Sequence, residues 1–508
     1  MKRNSLSYTS VLLCGVAAIA LCCSCGKNLP GEKSAEEREQ ERILQLKKAD
    51  KEYDIKVSVR KDYIGNYYYW NEEVKEKNAA LEPYNYQSMS DWFKALLFTP
   101  KDRWSWYLSA ADYLSSEKGT VSSGDWGVSF VQPTDDFKDY GIYVRHIYPS
   151  SPFAKYGVTR GAKLLSFAGF YIGEQIDSED ELTALNNHLY QSPSTFTFRL
   201  TDGRDTTFTE KFASVTTNYI ISKKIFTSAD FPGLKSPVGY FNYLSFKANF
   251  KEDVDRAFAE FKAAGVRKMI VDLRYNGGGD VALAQVLSSY LAPAGTAGKE
   301  LYTTTHNALL TSEGWNETTY IGTSSDKPTG GTDMGIGIDE VYFIIGGSSA
   351  SASELTINGL KPYWKEKLHL VGRQSYGKPN GMYVLYYPPH SQHKEYDKGD
   401  FSALKYVFLP ICFYEKNSLG EEIPSTADPG SGFIPEESIP DDIYHDFGVE
   451  EANIRACLTH IVTGAYPETA VKSVSGVKSS NGLVCKSLLP KSRTDRNYGL
   501  LLKISDKF

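Results

Sequence analysis

The chain has 508 residues, 41% of them hydrophobic and 23% charged, and a net charge of −6. That length accommodates two to four domains with proper cores, and the mildly acidic, ordinary composition argues against nucleic-acid binding. No internal repeat of 20–50 residues organises it.

Lys2 and Arg3 precede an apolar run from Val11 to Leu21, which is short for a membrane span and reads as an export signal. The segment Leu21-Cys-Cys-Ser-Cys25 resembles a bacterial lipobox, with small Ser24 ahead of Cys25 and Cys22 standing where leucine is usual. The expectation is a lipoprotein signal over residues 1–25, lipidated at Cys25 with Cys23 as the second candidate, and a lipid anchor in the bacterial cell envelope. A plain cleaved signal is the alternative. Residues 26–54, rich in Glu, Lys, Arg and Gln, predict a solvated helix or tether. No transmembrane helix is predicted after residue 25. Beyond the signal, Cys412, Cys457 and Cys485 show no metal-ligand spacing and suit one disulfide or buried thiols.

Residues 55–118 are aromatic, with Tyr67-Tyr-Tyr-Trp70, Trp92-Phe93 and Trp104-Ser-Trp106, and predict a small helical region including a helix over 90–97. From 119 to 222 the pattern changes to short strands, among them Trp126-Gly-Val-Ser-Phe130, Tyr140 to Ile147 and the alternating Thr195-Phe-Thr-Phe-Arg-Leu200. A short helix ended by Gly157 and a helix over 180–189 complete it. This order resembles a PDZ domain of the bacterial protease type. Ala162 stands where that signature has Asp, and Phe153 where it has Ala. The resemblance implies that Trp126, Gly127, Val128, Ser129 and Phe130 form the loop and strand edge that hold a peptide; a small β-domain that binds nothing is the other reading.

Residues 223–440 read as alternating strands and helices, which predicts an α/β core with its site at the C-terminal strand ends. The buried runs are Val238 to Phe246, Lys268 to Arg274, Glu340 to Ile345 and Leu368 to Val371, with a helix carrying Val254, Phe258 and Phe261 on one face and another from Val281 to Leu291. Residues 441–508 supply a last helix near 449–462 and a weakly structured tail.

Two glycine-rich strand ends invite chemistry, Asn276-Gly-Gly-Gly279 and Gly346-Gly-Ser-Ser-Ala-Ser-Ala-Ser353. Neither has the spacing of a phosphate or dinucleotide loop, and no H-E-x-x-H or G-x-S-x-G occurs, so no cofactor or metal is predicted. The eight histidines form no recognisable pair, so serine with lysine is the nucleophilic chemistry that remains. A serine at the strand-to-helix corner stands beside free backbone N–H groups. A lysine base must be neutral, which needs burial or nearby positive charge. Lys361, Lys365 and Lys367 lie in a polar helix end, whereas Lys378 follows a buried strand and a glycine turn.

Together, Asp272-Leu-Arg-Tyr-Asn-Gly-Gly-Gly279, Ser351-Ala-Ser-Glu354 and Tyr376-Gly-Lys378 resemble the C-terminal processing (tail-specific) peptidases, which are serine endopeptidases. The resemblance spans about residues 55 to 440. It implies a ClpP/crotonase-like core of ββα units, Ser351 as nucleophile and Lys378 as base. It further implies an oxyanion hole from the N–H of Ala352 and of Gly278 or Gly279, and polypeptide substrates. Ser349 and Ser353 are then turn or cap residues. Two departures stand out. The serine and lysine are 27 residues apart, slightly long for the family, and Met382 replaces a glutamine that many members place four residues after the lysine; Asn380 is the nearest substitute. Two other readings stay open, a non-catalytic peptide-binding lipoprotein and an esterase or amidase of the envelope.

Overall fold

The computed structural model describes residues 33–117, 120–132, 141–168, 170–172, 192–322, 332–426, 430–467, 486–487 and 500–503. The signal with Cys25, the helix expected over 180–189 and Cys485 lie outside the described residues. The chain divides into Met1–Asp54 and Ile55–Phe508. In the first unit, helix α1 (Ala35–Ala49) buries none of its residues, as its charged sequence requires. It is held at its start by a capping box: Ser34 Oγ accepts the Glu37 N–H (3.1 Å) and the Glu37 carboxylate accepts the Ser34 N–H (2.7 Å).

In the second unit the aromatic stretch forms short helices, including α2 (Met89–Leu96), whose Ser88 N-cap accepts the Asp91 N–H. It is not helical throughout. Trp106–Ser109 becomes strand β1 and pairs antiparallel with a strand 300 residues on. Tyr63, Tyr68, Trp92 and Phe93 share one hydrophobic core with residues from the α/β region.

The next segment is an antiparallel sheet in the order β2 (Val128–Gln132), β3 (Ile142–Ile147), β4 (Lys163–Phe167), β5 (Ser194–Arg199) and β6 (Asp205–Glu210). Its strands alternate as a one-sided sheet must. Phe196 and Phe198 enter a core with Trp126, Phe130 and Phe153, while Thr195 and Thr197 face outward and bond Thr209 and Thr207 across the ladder. The open edge of β2 pairs with Lys486–Ser487.

From residue 220 the strands are β7 (Ile220–Phe226), β8 (Val238–Tyr243), β9 (Lys268–Asp272), β10 (Glu300–His306), β11 (Glu340–Ile345), β12 (Leu368–Gly372), β13 (Asn380–Tyr387), β14 (Tyr406–Leu409) and β15 (Ile411–Asn417). They make two sheets. The first runs β7-β8-β9-β11-β12 with Glu437–Ser438 at its edge, parallel except for β7. The second runs β1-β14-β13-β15-β10 with Thr318–Tyr320 outermost, antiparallel along that path, and Leu500–Lys503 adds a parallel pairing to β13; the buried runs read from the sequence did not include its strands.

The first sheet is covered on both faces, so its strands are continuous apolar runs whose residues divide by parity. Met269, Val271, Val341, Phe343 and Ile345 face the large core, against helices α3 (Lys251–Ala263), α4 (Val281–Leu291) and α5 (Ala352–Trp364). Ile270, Tyr342 and Ile344 face a second core closed by α6 (Ala452–Thr463) through Ile454, Cys457 and Leu458. Cys412 and Cys457 are buried free thiols, each in a different core. Among the described residues no helix is long and apolar enough to cross a membrane.

A buried ionic cluster pins α6 to the end of β9. Arg274 donates to Asp272 and, through two nitrogens at 2.5 and 3.1 Å, to Glu451, which also accepts the Ile454 N–H as the α6 N-cap. Asp441 joins Arg274 to Arg160 of the small β-sheet segment. Removing one member of such a buried pair leaves an uncompensated charge. Glu451→Ala is therefore expected to cost about 3–5 kcal/mol of folding free energy in urea denaturation, well beyond the ~1 kcal/mol of a lost cap.

Candidate active site

Strand β11 ends at Ile345 and the chain turns back through Gly346 to Ala350 before α5 begins. Two serines fasten this turn to the end of β9. Ser349 Oγ donates to Leu273 O (2.7 Å) and accepts the Gly346 N–H, and Ser353 Oγ donates to Asn276 O (2.9 Å). Ala350 N–H bonds the same Asn276 carbonyl. Both serines thus have the turn-fixing places expected of them. Ser351 differs: it is fully buried, its hydroxyl has no hydrogen-bond partner, and its backbone is left-handed at φ 59°. A non-glycine residue at such an angle costs about 1–3 kcal/mol and persists where its surroundings over-determine it.

The second glycine-rich strand end lies against this turn. A Cβ on Gly278 (φ 105°) would stand 2.9 Å from Ser351 Cβ and 3.0 Å from the Ala352 nitrogen, and one on Gly279 (φ 141°) would stand 2.1 Å from Phe246 O. Glycine at both positions lets the two loops touch. The amides are then distinguishable. Gly278 N–H donates to Asn276 Oδ1 (2.8 Å), whereas the N–H groups of Gly279 and of Ala352, at the first turn of α5, make no hydrogen bond among the described residues.

Lys378 reaches the same place through a buried carboxylate. Glu354 Oε2 accepts the N–H of Ser351 (3.1 Å) and of Lys378 (2.9 Å), so those two amide nitrogens lie within about 6 Å of each other. Its other oxygen accepts from Ser375 Oγ (2.5 Å) and Gly377 N–H (2.8 Å). Burial raises the Glu354 carboxyl, and these donors oppose the rise. Lys378 itself is buried, and its Nζ has no hydrogen-bond partner. Desolvation pushes its pKa down to about 8, against the pull of Glu415, Asp102 and Glu354 and with help from Arg103. Arg103 is sandwiched between the Trp104 and Tyr376 rings at 4.6 Å from each, and donates to Gly377 O. Glu415 lies on β15, its N–H bonded to Pro379 O next to the lysine. Its carboxylate oxygens are buried without partners, and burial pushes its carboxyl well above the usual range, Lys378 being the leading opposing charge. Asn380 and Met382 follow on β13, both buried.

Ser351, Ala352, Gly278, Gly279 and Lys378 thus converge. Trp126, Val128 and Phe130 instead place their side chains in the core of the small β-sheet segment, and Ser129 is buried beside them. The Gly127 N–H donates to Asp125 (2.9 Å), so an acidic group of the chain itself occupies a donor that a peptide carboxylate would need. Sequence reasoning missed four contributors. Glu354 was marked by capping-box spacing from Ser351. Glu415 follows Ile411 and Phe413 at the inward positions of a strand, where a charge is anomalous. Asp102 and Arg103 carried no local signal.

Residues 237–392 match the model of peptidase family S41, and residues 62–106 match the peptidase S41 N-terminal domain. The chain carries the domains of an S41 serine-type peptidase. The N-terminal match ends on the segment that brings Asp102 and Arg103 to Lys378, and the main match holds Gly278, Ser351 and Lys378. A structure from Bacteroides fragilis NCTC 9343 named as an S41 protease aligns at TM-score 0.59 and 19% identity, covering 79% of this chain and 96% of that one. The mixed α/β fold is therefore shared. The photosystem II D1 C-terminal processing protease aligns more loosely, at TM-score 0.40 and 16% identity over 79% of this chain and 93% of that one. No curated protein matches the chain in sequence.

A lysine with its folded pKa near 8 binds fewer protons than in the unfolded chain between pH 8 and 10.5. Its cost to stability is therefore full below pH 8 and gone above 10.5. Lys378→Met in this S41 peptidase is expected to be more stable by about 3 kcal/mol at pH 7, with the gain shrinking at pH 10, in urea denaturation at the two pH values.

Proposed function

We propose that this peptidase is a C-terminal processing endopeptidase working through a Ser351–Lys378 dyad. The observation that carries the reading is the pair of buried, unpartnered groups, the Ser351 hydroxyl and the Lys378 amine, whose backbones are held together by one carboxylate, Glu354.

Neutral Lys378 takes the Oγ proton as Oγ bonds to the scissile carbonyl carbon. The carbonyl oxygen, now an anion, is met by the N–H groups of Ala352 and Gly279, each such donor lowering the barrier by about 2.7–4 kcal/mol. Collapse breaks the C–N bond, and Lys378 returns its proton to the departing amine. Water then attacks the acyl ester, with Lys378 again receiving the proton and Ser351 regenerated. Burial makes this base available: moving its pKa from 10.5 to about 8 raises the neutral fraction at pH 7 from about 0.03% to about 10%. Glu415 is the group that faces Lys378 in place of the glutamine replaced by Met382.

The small β-sheet segment, PDZ-like in strand order, is suited to hold an extended polypeptide at the outer edge of β2, the edge that the chain's own Lys486–Ser487 uses for strand pairing. With the Gly127 N–H occupied by Asp125, recognition there rests on strand pairing. The lipobox at Cys25 and the solvated helix α1 support an envelope protein tethered by lipid. Met382, buried where many relatives carry a polar group, favours one second reading, a catalytically impaired peptide-binding lipoprotein.

Ser351→Ala and Lys378→Ala should each lower cleavage of an unfolded protein by at least about 1,000-fold. Retained activity in either sinks the dyad, and wild-type peptide binding without turnover establishes the second reading. The pH profile of kcat/KM should rise with a midpoint near 8. Glu415→Gln should move that midpoint to lower pH, because loss of an anion favours the neutral amine; an unmoved midpoint removes Glu415 from the mechanism.

A further inference from the structure

At the opposite end of the parallel sheet from Ser351, three side chains meet that the peptidase chemistry does not use. Glu340 opens β11, His369 is the second residue of β12, and His460 lies in the last turn of α6. One ligand-type atom from each lies within 4.8 Å of the others. The Nδ1 edge of each imidazole is directed. His369 Nδ1 is bonded to Glu436 Oε2 (2.9 Å), and His460 Nδ1 to the Tyr342 hydroxyl (2.7 Å). The ring of Tyr342 also stacks on His369, at 4.5 Å between centroids, and Tyr466 stacks on His460 at 4.3 Å while its hydroxyl bonds Glu436. With both Nδ1 atoms tied back, Nε2 is the ring nitrogen each histidine has left for an ion; His369 Nε2 stands 3.0 Å from Glu340 Oε1.

We propose that Glu340 Oε1, His369 Nε2 and His460 Nε2 form a divalent transition-metal site of the zinc class. Two imidazoles and a carboxylate are a borderline-hard donor set that suits zinc, with water in the fourth position. Two ligands on one tetrahedral zinc stand about 3.3 Å apart, given bonds of about 2.0–2.1 Å, and the Glu340–His369 separation of 3.0 Å is already close to that. Bringing in His460 takes a small side-chain adjustment within the 4.8 Å cluster. The carboxylate and phenol on the far nitrogens are the outer partners that metal-bound histidines use to fix ring orientation. Lys268, paired with the other Glu340 oxygen, holds that carboxylate so that Oε1 faces the rings. Glu340 and His460 are partly exposed, which gives an ion a way in. The site would clasp the end of α6 to the first sheet.

The test uses the full chain, stripped with a chelator and titrated calorimetrically with zinc chloride. One zinc per chain is expected, with affinity reduced at least 100-fold in His369→Ala and in His460→Asn, about 10–100-fold in Glu436→Gln, and unchanged in His390→Ala, whose histidine pairs with Asp397 elsewhere. Cobalt(II) on the wild-type chain should show the visible absorption of a tetrahedral nitrogen–oxygen site, a readout that does not depend on any variant folding. No stoichiometric zinc binding by the wild type, binding undiminished in His460→Asn, or no such cobalt spectrum would each overturn the assignment.

Discussion

The carboxylate of Glu354 is the contact on which the site depends. It sits fully buried at the start of a helix, where backbone N–H groups favour an anion. From there it binds two segments, the Ser351 turn and the Ser375–Lys378 loop, which the Tyr376 N–H to Ser349 carbonyl bond also joins. A hydrogen bond to a charged group is about twice as strong as a neutral one, and four converge here. Their combined hold keeps the backbones of Ser351 and Lys378 together at one buried point.

That hold is opposed by local costs. Ser351 keeps a left-handed backbone, and the buried Ser351 hydroxyl, Lys378 amine and Glu415 carboxyl forgo hydrogen bonds, each at about 1–3 kcal/mol. These penalties concentrate at one point, while compensation comes from the packed sheet behind it. The strands β9 and β11 fill a core on each face, and the Arg274 cluster ties the glycine-rich strand end to α6. The reactivity of the site and its instability have one physical source, polar groups kept from water without partners.

Helix α6 spans both ends of this arrangement. Its first turn, through Glu451, completes the ionic cluster at the end of β9 that leads into the glycine-rich turn at 276–279. Its last turn, through His460, reaches the cluster at the start of β11. A parallel sheet gathers the C-terminal strand ends on one edge and the N-terminal ends on the other. One helix running back across it therefore touches both the edge that carries the proposed dyad and the proposed metal edge.

Much of this was legible in the residues. The unbroken apolar runs Lys268–Asp272 and Glu340–Ile345 declared a sheet buried on both faces, and Val281–Leu291 appeared as a helix with the bounds it has. The glycines at 278 and 279 marked a close approach, and the order of serine and lysine motifs identified the family. Periodicity reports which face of an element is buried, and motifs report which residues share a turn; neither reports which distant segments touch. So only the tertiary structure decided that Trp106–Ser109 completes a second sheet with Tyr406–Leu409. It alone separated the Gly278 N–H, spent on Asn276, from that of Gly279. It also placed Glu415 and Arg103 beside Lys378, and their charges, with desolvation, shift the proton affinity of its amine.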